Sequence, residues 1–195
     1  PNFDVEKVYR PSRFTLACDE VNFVGEEVAF IVAETLDQAK DAAELINVVY
    51  ETLPTVVDAE KALKDGAPLV WSDCPGNLSF TEEMGDKKTT DAAFASAKHI
   101  VKLRSVVNRA SANTIETRGT NADYNPSSGH CTVYVGAQGA FGMRKTLAEL
   151  IFNDTEKNFR VITGHMGGSF GMKGVYAETL LTVWASRKLS RPVKW

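Results

Sequence analysis

Two glycine-rich stretches in the second half of the chain offer the clearest chemistry. Of the 14 glycines, five fall within residues 164–174 (Gly164, Gly167, Gly168, Gly171, Gly174), and three more are Gly136, Gly139 and Gly142. Each stretch is predicted to follow a strand and precede a helix. Glycine lets the backbone approach a ligand closely and adopt positive φ. The first turn of the following helix has N–H groups without intrahelical partners and a partial positive charge. Together these make an anion site, typically for phosphate, and in open α/β sheets such loops lie at the carboxyl ends of strands, where ligands bind. Gly136-x-x-Gly139-x-x-Gly142 has the wrong first spacing for G-x-G-x-x-G, and the absence of a Gly-Lys dipeptide excludes the P-loop. On spacing alone the glycines fit tight strand–helix turns with no ligand equally well.

The elements that must hold these loops follow from hydrophobic period and punctuation. Strands are predicted at 131–135 and 159–163, with helices near 143–152 and 175–188 and a further strand beginning at the last residues. Asn125-Pro126-Ser127-Ser128-Gly129 is a strong turn joining the 131–135 strand to one before it. This repetition of strand, loop and helix argues a layered α/β arrangement. Upstream, Val21 to Ala33 reads as a strand interrupted at Gly25. Thr35-Leu36-Asp37-Gln38 has capping-box form, and Ala39, Ala42, Ala43, Ile46 and Val49 follow at helical spacing. The chain returns to extended structure around Pro54, completing a small β-α-β piece. Residues 60–86 read as a connector, Asp91 to Lys98 as a short helix with Thr90 as its N-cap, and Val101 to Val107 as a half-exposed strand.

Composition excludes several classes. The chain has 195 residues, 44% hydrophobic and 24% charged, with a formal net charge of -3. That is ordinary for a soluble globular protein and gives no electrostatic reason to bind nucleic acid or an anionic membrane. No apolar run approaches the roughly 20 residues of a membrane span. No basic start with an apolar stretch reads as a signal peptide, so the cytoplasm is the expected location. Cys18, Cys74 and Cys131 are odd in number and widely spaced, suggesting neither a disulfide framework nor a zinc ribbon. The chain starts at Pro1 and stops at Trp195 inside an apolar run, which predicts a piece of a longer protein.

Longer strings sharpen the reading. Gly164-His165-Met166-Gly167-Gly168-Ser169-Phe170-Gly171-Met172-Lys173 resembles the G-G-G-F-G-x-K signature of the molybdenum hydroxylase large subunits, the family of xanthine dehydrogenase, aldehyde oxidase and carbon monoxide dehydrogenase. Ala137-Gln138-Gly139-Ala140-Phe141 is similar to that family's T-Q-G-x-F loop, and Asn113 to Gly119 to its P-M-E-P-R-G segment. Val24 to Ala29 resembles its V-G-E-P-V-A strand, and Arg191-Pro192-Val193-Lys194-Trp195 its R-P-V-K-W segment. Five motifs occur in the family's order over nearly the whole chain.

The resemblance implies a mixed α+β and α/β fold: a partial small β-α-β, hammerhead-like domain with its connector over 1–85, then the start of a molybdopterin-binding domain over 86–195. It implies a hydroxylation of an aldehyde, heterocycle or similar small substrate, with oxygen drawn from water. The cofactor would be molybdopterin carrying molybdenum, expected as the cytosine dinucleotide and expected to be absent from this piece alone. The implied partners are the remainder of the large subunit and FAD and iron–sulfur subunits or domains. Gln138 takes the catalytic role, its amide donating to an oxo ligand on the metal. Gly139, Gly167, Gly168, Ser169, Phe170 and Gly171 join it in holding the cofactor, and no side chain is assigned as a metal ligand.

Departures from the family pattern qualify this. Ser169 stands where a third glycine is usual, so its hydroxyl either crowds the loop or donates to the cofactor. Thr114-Ile115-Glu116-Thr117 lacks both prolines of its motif. Gly174 occupies the position of a substrate-binding glutamate in the xanthine-oxidising branch, so purine specificity is not supported. Glu178 is expected to be solvated or capping, Phe170 to pack in the core unless the loop uses it, and Arg118 to pair with a phosphate, with Glu116, or with solvent. The family's general-base glutamate is expected far beyond residue 195, so the piece is expected to be inactive. Two alternatives stand beside this: a free-standing binding or assembly module of family origin, and an unrelated phosphate-ligand enzyme using the 164–174 loop.

Overall fold

The computed structural model describes residues 8–195. The chain falls into two compact units that are not divided by a single cut in sequence: one comprises residues up to Ser12 with Glu51–Ala110, the other Arg13–Tyr50 with Ser111–Trp195.

The unit that contains 51–110 is built mainly from turns. Its regular elements come after α1 (Leu36–Glu44) in chain order: α2 (Ala59–Ala62), a 3-10 turn at Pro75–Asn77, and α3 (Lys87–Ser96). Asn77 organises the connector. Its side chain accepts from Val70 N–H and donates to the carbonyls of Ala62 and Pro68. α3 starts one turn earlier than expected, because Asp86 and not Thr90 is the N-cap. The Asp86 carboxylate accepts from both the N–H and the hydroxyl of Thr89. The strand expected at 101–107 is absent. Val101, Leu103 and Val107 are each at least 90% exposed, and no ladder partner for them lies among the described residues. Alternation shows only that a segment suits a sheet; pairing decides whether it becomes one.

The other unit holds the sheet. Its strands are β1 (Thr120–Asn125), β2 (His130–Val135), β3 (Phe159–Ile162) and β4 (Val193–Lys194), in the order β3-β2-β1-β4. β1 and β2 form the expected hairpin, with Asn125 paired to His130 across the turn, and the Asn125 side chain accepts from Ser127 N–H. β3 runs parallel to β2 and β4 antiparallel to β1, so the sheet is mixed. The helix after β2 begins at Ala140, not near 143. α4 (Ala140–Lys145) continues as a π-helix over Thr146–Ile151, with Phe152 N–H donating to the Leu147 carbonyl. α5 (Ala177–Leu189) follows the second glycine loop and lies against β1. Two polar ties fix it there. The Thr120 and Thr179 hydroxyls lie 3.1 Å apart, and Ser186 Oγ accepts from Tyr124 N–H while donating to the Arg191 carbonyl. Ala122, Cys131, Val133, Met143, Leu147, Phe159 and Val183 make up most of the core between sheet and helices.

The capping box of α1 forms as expected: Gln38 N–H donates to Thr35 Oγ1 and Gln38 Oε1 accepts from Thr35 N–H, both at 3.2 Å. The helix ends at Glu44, with Leu45 as its C-cap, instead of running to Val49. Residues 21–33 and the stretch around Pro54 carry no ladder hydrogen bonding, so the β-α-β piece shows its helix without paired strands among the described residues. Gly25 sits at φ 92°, and the turn there is closed by Glu26 N–H donating to the Phe23 carbonyl. No helix among the described residues is long and apolar enough to cross a membrane.

Candidate functional site

Sheet topology brings the three central motifs to one edge. β2 and β3 are parallel neighbours, so the loops that leave them, 136–139 and 163–174, emerge side by side at their carboxyl ends. β1 is antiparallel to β2 with Thr120 opposite Val135, so residues 113–119 enter β1 at that same edge. Strands that read separately in the sequence thus deliver three loops to one place.

Lys173 and Glu116 tie these loops together. The Lys173 side chain is wholly buried, and its ammonium donates to Glu116 Oε2 at 2.5 Å. The same oxygen accepts from Gly167 N–H at 2.6 Å. The Lys173 carbonyl accepts from Gln138 N–H at 3.0 Å, and Lys173 N–H donates to Ser169 Oγ at 3.1 Å. The Lys173 ammonium first, and the Gly167 N–H second, hold the Glu116 carboxyl below the usual carboxylate range.

Packing explains why glycine stands at 167 and 168. A Cβ on Gly167 would lie 2.6 Å from Glu116 Cβ, and one on Gly168 would lie 2.9 Å from the Phe170 ring. Gly168 also sits at φ 90°, a conformation that side-chain-bearing residues rarely adopt. Phe170 itself is held at φ 49° with 77% of its surface exposed, so it is not a core aromatic. A non-glycine residue in this region is uncommon and points to a site where the surroundings impose the conformation.

The ion pairs differ from expectation. Glu178 is neither solvated nor capping: it is buried in the first turn of α5, whose start has no side-chain cap bond, and Arg118 Nε lies 2.7 Å from its Oε1. The Arg118 guanidinium also sits 4.4 Å from the centre of the Tyr176 ring. Arg118 is therefore engaged by Glu178, while Glu116 belongs to Lys173. Glu178 directs its carboxylate to Arg118, and the N-terminus of α5, like that of α4, carries no side-chain cap. The Ser169 hydroxyl is turned inward onto Lys173 N–H, which leaves the loop's outer face uncrowded.

Gln138 is an exposed polar group at this edge. Its backbone is fixed by Lys173, but its side-chain amide is exposed and has no hydrogen-bond partner among the described residues. Gly139 follows at φ 112° as the N-cap of α4. The described residues contain no group of three or more His, Cys, Asp or Glu side chains that could hold a metal ion. An unpartnered amide beside two glycine loops with exposed backbone suits an organic cofactor that carries its own metal ligands.

Residues 70–195 match the family described as the molybdopterin cofactor-binding domain, and residues 2–54 match the aldehyde oxidase and xanthine dehydrogenase a/b hammerhead domain. The chain belongs to the molybdopterin-binding large-subunit family of the molybdenum hydroxylases. Within this family it is 35% identical to the carbon monoxide dehydrogenase large chain of Hydrogenophaga pseudoflava, over 92% of this chain and 24% of that one. It is 34% identical to the nicotine 6-hydroxylase large subunit of Paenarthrobacter nicotinovorans, over 92% and 22%. The fold superposes on reconstituted CO dehydrogenase from Oligotropha carboxidovorans with TM-score 0.86 at 34% identity, covering 93% of this chain and 24% of that one. Quinoline 2-oxidoreductase from Pseudomonas putida 86 gives TM-score 0.84 at 34% identity, covering 93% and 23%. The chain thus spans about a quarter of the length of these relatives.

Two features of the site escaped sequence reading. The partner of Lys173 carried no local signal, since Glu116 lies 57 residues away. Nor did any sequence pattern mark Glu178 as buried, because a glutamate in the first turn of a helix is ordinarily solvated.

Proposed function

We propose that this chain supplies part of the cofactor-binding surface of a molybdenum-dependent hydroxylase, with Gln138, Gly139, Gly167, Gly168, Phe170, Gly171 and the main chain of Ser169 facing the cofactor. The observation that carries this reading is the meeting of the 113–119, 136–139 and 163–174 loops at one sheet edge, with the Gln138 amide exposed and unpartnered there. When bound, molybdopterin supplies the redox metal at which an oxygen from water is activated. This chain's own part is to hold and orient. Gln138 would offer an uncharged N–H donor to the bound cofactor, and the backbone of 167–171 would approach it closely because glycine leaves room. The Phe170 ring lies against Gly168.

In this reading residues 1–85 contribute the hammerhead-like part with its connector and 86–195 the first portion of the cofactor domain, an order supported by the two family matches. The substrate is a small aldehyde, heterocycle or similar molecule oxidised in the cytoplasm. Gly174 places no carboxylate at the position where the xanthine-oxidising branch binds a purine. Subunits bearing FAD and iron–sulfur clusters carry the electrons away, the cofactor is the cytosine dinucleotide form, and the 195 residues alone are inactive and metal-free.

The test is to purify the intact protein with its partner subunits and measure molybdenum and oxidised-pterin fluorescence. Stoichiometric molybdenum and pterin are expected. Gln138→Ala should keep both while lowering kcat by about 10²-fold, the scale of a lost donor at a reacting oxygen. An intact protein with neither metal nor pterin refutes the reading, and stoichiometric molybdenum in the isolated 195-residue chain refutes its metal-free part.

A further inference from the structure

Among the described residues, Lys173 heads the wholly buried side chains by size, and its buried group is a charge. Removing an ammonium from water is costly, and an apolar residue of similar volume often fills such a space with no loss of stability. A buried charge at the junction of three loops therefore points to a task other than filling space.

We propose that Lys173 and Glu116 are positioning residues that hold the Gln138 loop and the Gly167 loop at one fixed separation. The bonds form a continuous chain. Gln138 N–H is held by the Lys173 carbonyl at 3.0 Å, Lys173 Nζ by Glu116 Oε2 at 2.5 Å, and Gly167 N–H by that same oxygen at 2.6 Å. The Lys173 stem also lies 3.6 Å from where a Cβ on Gly136 would stand, so the first glycine loop rests on it. Glu116 reaches in from a third segment, the approach to β1, and is half-exposed. Lys173, within the second loop, thus holds the first loop by its main chain and stem, while Glu116 ties Gly167 and Lys173 to each other and to the approach to β1. Without the charge, the link from Lys173 through Glu116 to Gly167 is lost, and the bond from Gln138 N–H to the Lys173 carbonyl then rests on a residue whose side chain is no longer fixed. The catalytic consequence rests on the proposed function above; the loop fixation does not.

The experiment uses Glu116→Gln and Lys173→Met in the intact protein. Glu116→Gln keeps the shape and an oxygen for Gly167 N–H but removes the negative charge, so it decides the matter if Lys173→Met does not fold. Hydrogen exchange followed by mass spectrometry is read on peptides covering 136–142, 164–174 and 120–135. Exchange is expected to rise at least about tenfold in the first two and to stay unchanged in the strands. In the loaded enzyme the Mo(V) paramagnetic resonance signal should shift, and kcat should fall by about 10–100-fold with KM unchanged, as misplacement of a group by about 1 Å predicts. The double variant should be no worse than the poorer single one, since both remove the same link. Unchanged exchange at 136–142 in Glu116→Gln, faster exchange through the whole chain, an unshifted Mo(V) signal, or single effects that add would each overturn the proposal. An intact wild-type protein without molybdenum would instead count against the proposed function, and the exchange measurements would still decide the loop fixation.

Discussion

Replacing Gly167 by alanine tests the packing of the site with a single methyl group. The added Cβ would stand 2.6 Å from Glu116 Cβ. Two carbons in contact prefer about 3.5–4.0 Å, so the two segments must separate by about 1 Å. Glu116 Cβ is bound directly to the main chain and cannot swing aside as a side-chain tip could. The backbone of 114–118 or of 166–168 has to move, and the 2.6 Å bond from Gly167 N–H to Glu116 lengthens with it. Overpacking of this kind typically costs about 1–3 kcal/mol. Gly164→Ala is the control. It lies in the same loop, has no heavy atom within 4 Å of the added carbon, and is not held at positive φ. Its cost should be within about 0.5 kcal/mol, as for ordinary surface changes. Urea unfolding of the intact protein, followed by fluorescence, should separate the two variants by at least about 1 kcal/mol. Equal stability of Gly167→Ala and Gly164→Ala would refute the account of why glycine stands at 167.

Three further outcomes follow from burial and charge. Ser169→Ala leaves the buried Lys173 N–H without its 3.1 Å acceptor and should cost about 1–3 kcal/mol in the same unfolding assay. For Asp154, burial opposes ionisation, but bonds from Asn158, Thr155 and Arg187 outweigh it and hold the carboxyl below its ordinary value. The folded form therefore binds fewer protons than the unfolded one between the two values. The stabilisation is fully present above about pH 5 and is lost as pH falls through the folded-state value. Asp154→Asn should flatten the acid limb of a stability–pH curve. Burial pushes the Cys131 thiol up to about 11. Alkylation of the native protein at pH 8 should therefore modify the exposed Cys18 well before Cys131, as peptide mapping would show.

The parts of this fold that were legible in the sequence are those decided within a few residues. The capping box at Thr35 and Gln38 forms because both partners lie three residues apart and need no other contact. The 125–129 turn forms because Asn125 bonds its own neighbours. The strand at 159–162 and the helix at 177–189 stand close to where period and glycine place them. The segments at 21–33 and 101–107 misled for one physical reason. Alternating apolar residues make a strand possible, but a strand needs a repeated ladder, and among the described residues neither segment forms one: 21–33 takes the backbone bond from Ala17 N–H to the Glu27 carbonyl without a ladder following from it.

At the site the division is similar. Glycine frequency and motif order are properties of the chain alone, and they singled out the two loops proposed as the site. The sequence by itself also determined that α1 has a capped start and that the second half alternates strand and helix. Only the tertiary structure decided which charge meets which. Glu116 turns to Lys173 and Arg118 to Glu178, because the parallel pairing of β2 with β3 and the antiparallel entry of β1 set those groups at one edge. Ion pairs across some sixty residues depend on strand order and register, which no local spacing encodes.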